Sequence, residues 1–128
     1  MHEEYISRFI GIPGHRLFRI CFLDESGRET LEDSKVTNVI IELKRSNSFL
    51  VCTCGRRFDR YYDMREQLVR DLPWGEWKKV FLRIPRFRVL CPDCGVKTEP
   101  LDFLVRNCTY TRRLARVVEF ACDEVRSI

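Results

Sequence analysis

Residues 80–95 read Val80-Phe81-Leu82-Arg83-Ile84-Pro85-Arg86-Phe87-Arg88-Val89-Leu90-Cys91-Pro92-Asp93-Cys94-Gly95. Val80, Leu82 and Ile84 share one face, the period-two signature of a half-buried strand, which we place from Lys78 to Leu90. Phe87 and Val89 continue the alternation shifted by one residue. The slip falls at Pro85-Arg86 and predicts a bulge or kink there. The strand runs straight into a Cys-Pro-x-Cys-Gly knuckle, and a shorter knuckle, Cys52-Thr53-Cys54-Gly55, stands upstream.

A tetrahedral zinc ion needs four deprotonated soft ligands at about 2.3 Å, and two tight turns on neighbouring strands can each supply two. The ligand set is Cys52, Cys54, Cys91 and Cys94. Glycine after each pair suits the sharp turn, because it accepts positive φ without a Cβ clash. The first pair is Cys-x-Cys where Cys-x-x-Cys is usual, so Cys108 is kept as a reserve ligand. Four protein sulfurs leave no open position for water, so one structural Zn²⁺ is expected, contributing on the order of 10 kcal/mol to folding. Chelation should then unfold the domain.

The chain has 128 residues, 45% of them apolar, which bounds it to one domain with the start of a second. Its seven cysteines are an odd number, which favours metal ligation or buried thiols over a disulfide framework. No apolar run nears the roughly 18 residues that span a bilayer, and Met1-His2-Glu3-Glu4 lacks signal-peptide character. The chain is therefore expected to stay inside the cell. The net charge of +4 conceals a division: from Cys52 to Arg116 there are 15 Lys+Arg against 8 Asp+Glu. Clustered cations point to a polyanionic partner.

Elsewhere, Glu4 to Ile10 reads as a short helix stopped by Gly11, Pro13 and Gly14. Phe18, Ile20 and Phe22 alternate as a strand, Asp24 to Lys35 is a polar loop, and Thr37 to Lys44 is a second strand with Val39, Ile41 and Leu43 on one face. Arg56 to Trp77 is irregular and is expected to lie over the sheet, anchored by aromatics that include Trp74 and Trp77. Lys97 to Val105 forms a last strand. Thr111 then caps a helix whose stripe runs through Leu114, Val117, Val118, Ala121, Cys122 and Val125. The fold class is α+β: a small antiparallel β-sheet built around a four-cysteine zinc ribbon, with a short N-terminal helix and a C-terminal helix.

The candidate nucleic-acid contacts are Arg56, Arg57 and Arg60 after the first knuckle, then Lys78, Lys79, Arg83, Arg86 and Arg88 along the long strand. Lys97 follows the second knuckle, and Arg112, Arg113 and Arg116 lie on the last helix. Arg86 and Arg88, two apart, project from one strand face and would form a row that tracks phosphates. Asp63 and Asp71 are read as orienting arginines or capping turns; His2, His15, Cys21 and Cys122 are read as structural.

Together, Gly11-Ile12-Pro13-Gly14, Cys52-Thr53-Cys54-Gly55, Tyr62-Asp63 with Arg65, Arg70-Asp71-Leu72-Pro73-Trp74-Gly75, Arg86-Phe87-Arg88-Val89, Cys91-Pro92-Asp93-Cys94-Gly95-Val96, Glu99 and Tyr110-Thr111-Arg112-Arg113 resemble a known region. It is the N-terminal zinc finger of the ISL-three family of bacterial insertion-sequence transposases. The resemblance implies a domain over residues 1–108 that helps recognise terminal inverted repeats in double-stranded DNA, and a bacterial cytoplasmic location at the nucleoid. Residues 109–128 would be the first helix of a truncated helix-turn-helix. The family's acidic catalytic triad is not matched, so no enzymatic activity, small-molecule substrate or membrane partner is expected. The alternative is a zinc-stabilised interaction or oligomerisation domain whose last helix pairs with another chain, as in a homodimer, or with a following segment. Salt-dependent binding to duplex DNA separates the two.

Overall fold

The computed structural model describes residues 11–73, 77–105 and 108–118. The expected helix over Glu4 to Ile10, Trp74 and the distal part of the last helix lie outside these residues. Among the described residues, seven strands run in chain order: β1 (His15–Leu23), β2 (Asn38–Arg45), β3 (Leu50–Val51), β4 (Arg57–Phe58), β5 (Asp63–Asp71), β6 (Lys79–Cys91) and β7 (Gly95–Thr98). The main sheet has the order β1-β2-β6-β5, with β7 also paired to β6, while β3 and β4 form a separate hairpin. The protein is mostly β-sheet, with residues 112–118 helical.

The sheet is not purely antiparallel. β2 runs parallel to β6, with Val39 opposite Val80 and Ile41 opposite Leu82. Parallel neighbours need a long connection. The segment carrying β3, β4 and β5 supplies it, so the first knuckle sits inside the crossover.

One face of β2 and β6 builds the principal core, in which Val39, Ile41, Val69, Val80, Leu82 and Ile84 are fully buried. Leu17, Ile20, Phe22, Trp77, Leu101 and Phe103 pack against it. The alternation places Phe18 beside Ile20 and Phe22, but the pairing of β1 with β2 shifts between Leu17 and Arg19. The extra residue turns Phe18 to the opposite face, where Lys44 sits over its ring at 3.6 Å, and leaves Leu17 in the core.

β6 has no bulge where its hydrophobic phase slips. Its pairing with β5 is unbroken from Val80 to Arg88. The buried residues change parity instead, because Val89 and Cys91 belong to a second cluster with Leu50 and Cys52. Successive side chains point to opposite faces, so one straight strand serves two cores, one on each side. Pro85 fits this arrangement. The Phe87 carbonyl accepts from the Glu99 N–H, so the odd-numbered backbone groups face the β2 and β7 edge. Pro85 therefore lacks its N–H in the gap between the last β2 partner, Arg83, and the first β7 partner, Arg88.

Two further expectations are corrected. The stretch expected to be an irregular connection contains the nine-residue strand β5. Its core-facing alternate positions are mostly polar, Val69 being the exception, so no apolar alternation advertises it. The last strand ends at Thr98, and residues 99–105 cross the principal core instead, burying Leu104. Residues 109–111 then run beside β5, where the Arg70 N–H donates to the Thr109 carbonyl and the Thr111 N–H to the Arg70 carbonyl. Thr111 caps the helix as expected, its hydroxyl accepting from the Leu114 N–H at 3.4 Å.

Candidate metal centre

Each knuckle is the tip of a hairpin. In the first, β3 and β4 close a turn in which the Gly55 N–H donates to the Cys52 carbonyl and the Cys52 N–H to the Arg56 carbonyl. In the second, Cys91 at the end of β6 pairs with Gly95 at the start of β7. Gly55 and Gly95 adopt φ of 92° and 81°, the left-handed region that the turns require.

The two tips meet. The sulfur atoms of Cys52, Cys54, Cys91 and Cys94 all lie within 4.8 Å of one another, and the Cys54 and Cys91 sulfurs are 3.8 Å apart. A tetrahedron with metal–sulfur bonds of about 2.3 Å has edges of about 3.8 Å. The four cysteines are therefore positioned to bind one metal ion. Cys52 and Cys91 are buried and Cys54 is exposed, so the ion would sit at the surface with its inner half shielded by Leu50 and Val89. Cys108 is not in the cluster.

The thiols are electrostatically unequal. A hydrogen bond from the Cys54 backbone N–H draws the Cys52 thiol down to about 7, against the opposing effect of burial. Cys94 is pushed up to about 12, chiefly by its hydrogen bonds with Cys54 and Cys52 and further by burial. Sulfurs this close hold protons between them, and a divalent ion takes the place of those protons.

Residues 52–98 match the family described as the zinc-finger of transposase IS204/IS1001/IS1096/IS1165. The matched segment begins at the first ligand and ends at the last residue of β7. Residues 52–98 are thus similar to a transposase zinc finger over somewhat more than a third of the chain. No curated protein and no solved structure matches the chain. Among the described residues no helix is long and apolar enough to cross a membrane.

The zinc finger is tied to the main sheet by a residue whose role spacing does not reveal. Glu99, 4% exposed, accepts from Arg45 at the end of β2 at 2.9 Å and from the Val51 N–H of β3 at 3.0 Å. The Arg45 guanidinium also donates to the Phe49 carbonyl. This buried ion pair joins β2, the first knuckle hairpin and the segment after β7. Across the other face of the sheet, Glu42 lies between Arg19 and Arg83 and bonds to both; these contacts, Arg19 first, hold its carboxyl below the usual range despite burial.

The structure does not gather the twelve candidate nucleic-acid contacts into one patch. Lys79 and Arg88 lie on the same strand, roughly 30 Å apart at 3.3 Å per residue. Several are engaged within the protein. Arg83 pairs with Glu42, Arg88 with Asp63, and Arg113 with the fully buried Asp71, which also accepts from the Thr111 hydroxyl at 2.7 Å. Lys78 lies 3.9 Å from Glu25, Arg56 lies 3.6 Å from Asp93, and Arg57 stacks on Phe49. Arg86 is half-buried and donates to Gln67 and to the Glu99 carbonyl. Arg60, Lys79, Lys97, Arg112 and Arg116 are exposed. Asp63 and Asp71 do orient arginines, as their positions in the sequence suggested.

Proposed function

We propose that this chain is a DNA-binding module of an insertion-sequence transposase, its zinc finger fixing a basic surface that recognises the terminal inverted repeats of the element. On this reading the zinc is structural, residues 1–108 form the binding domain, and residues 109–128 open a helix-turn-helix. The observation that carries the reading is the convergence of four sulfurs within a segment that matches a transposase zinc finger. The surplus of cations between Cys52 and Arg116 supports it. A closed shell of four thiolates suits architecture rather than hydrolysis, since no position remains for a reacting water.

Binding of the zinc-loaded chain to duplex DNA, measured at two salt concentrations, tests the proposal. Affinity should fall steeply with salt and should be lost on chelation. The second reading, assembly through the last helix, draws on Val117 and Val118, each about half exposed. It predicts a concentration-dependent oligomer and no salt-dependent DNA binding.

A further inference from the structure

Arg65 on β5 and Arg86 on β6 are direct cross-strand partners, so their side chains leave the same face of the sheet side by side. Like charges in that arrangement repel. Neither has a carboxylate within 4 Å among the described residues: Asp63 is taken by Arg88 and Glu99 by Arg45. Arg86 spends its guanidinium on two neutral oxygens, and its buried Nε has no hydrogen-bond partner.

Both arginines line a solvent-open groove of about 880 Å³, and Arg112 joins them from the start of the helix. Arg112 donates to the Asp102 carbonyl rather than to its carboxylate, so among the described residues none of the three forms a salt bridge, although the Asp63 and Glu99 carboxylates act on Arg65 and Arg86 at longer range. Glu66 and Asp102 stand in the same lining, but neither forms an ion pair with these arginines. The hydroxyl-bearing residues Thr53, Thr98 and Thr109 complete the polar wall. Thr53 is the residue between the two ligands of the first knuckle, so the metal-binding turn itself forms part of the groove.

We infer that this groove holds the sugar-phosphate backbone of duplex DNA, with Arg65, Arg86 and Arg112 facing phosphates and the threonine hydroxyls donating to phosphate oxygens. Arginines and hydroxyls are the groups that contact backbone without reading sequence. An open channel admits a strand passing through it, whereas a small anion would leave most of the groove unfilled. The inference rests on the DNA-binding reading and narrows it to one face. That face includes Arg65, which was not among the candidate nucleic-acid contacts, and omits Lys78 and Lys79 at the far end of β6.

The test uses the whole zinc-loaded chain and a fluorescent duplex of arbitrary sequence, titrated over a range of salt. Arg65→Gln/Arg112→Gln should weaken binding by about tenfold or more and flatten the slope of log affinity against log salt by about 2, one phosphate for each arginine. Arg16→Gln/Arg28→Gln removes the same charge elsewhere and should change affinity by no more than about twofold. Equal losses in the two variants, or no loss in the groove variant, would overturn the assignment while the DNA-binding reading stands. Failure of the unsubstituted chain to bind duplex at low salt would overturn both. Zinc content is measured for each variant. Should the double variant fail to hold one ion, Arg65→Gln alone, at an exposed side chain with no hydrogen bond among the described residues, must show half the slope change or the assignment falls.

Discussion

The two ends of β6 show different ways of making a strand stable. At its start, Val80, Leu82 and Ile84 lie in a nine-residue buried cluster drawn from β2, β5, β6 and two flanking segments, and apolar burial there is sufficient. At its end, on the opposite face, the buried cluster is only Leu50, Cys52, Val89 and Cys91, with two-residue strands on the facing hairpin. A cluster this small cannot offset the entropy of ordering two hairpins. On the proposed reading a metal held by the four cysteines supplies the difference. One half of the protein would then be held by its side chains, the other by an ion.

Breaking this contrast should give the largest effect. Chelation, or Cys91→Ser, is expected to abolish protection from hydrogen exchange at the amides of Leu50–Phe58 and of the Cys91–Thr98 hairpin, while amides of β1 and β2 remain protected. This narrows the unfolding expected from sequence to one half of the domain. Equal loss at both ends would show that the halves are a single cooperative unit. Leu82→Ala attacks the other end and should cost about 3 kcal/mol in denaturant titrations, without changing zinc stoichiometry.

The Arg45–Glu99 pair couples the halves, and a variant there sharpens the comparison. Glu99→Gln leaves Arg45 buried without its counter-charge and should cost roughly 2–3 kcal/mol, with zinc bound but released faster to a competing chelator. A smaller effect is expected at Glu42, whose two arginines are more exposed. Its carboxyl titrates below the ordinary 4.5 in the folded chain. The stability it supplies is therefore complete above that pH and disappears as pH falls through the lower folded value. Glu42→Gln should accordingly destabilise the protein at neutral pH and match it in strong acid.

The same contrast explains what the sequence disclosed. The β2 and β6 strands were legible because Val39, Ile41 and Leu43, and Val80, Leu82 and Ile84, alternate cleanly. The metal ligands were legible because cysteine pairs followed by glycine have few other uses. The parity change after Ile84 was visible too, but a bulge and a change of buried face produce the same pattern in one dimension. β5 was hidden because its alternate positions include Asp63, Gln67 and Asp71, whose partners arrive from β6 and from residues 111–113, and Arg65, which faces the groove. Arg88 was read as free to meet phosphates for the same reason: strand spacing shows which face a guanidinium leaves from, not that Asp63 waits across the pairing. Arg65 became significant only when its neighbour proved to be another arginine.

The central claim is that one ion closes both hairpin tips. X-ray absorption at the zinc edge, on purified chain of known metal content, tests it most directly. One zinc per chain with four sulfur neighbours at about 2.3 Å is the expected result, unchanged in Cys108→Ser. A shell in which nitrogen or oxygen replaces a sulfur, or a chain that holds no zinc when it is supplied, would contradict it.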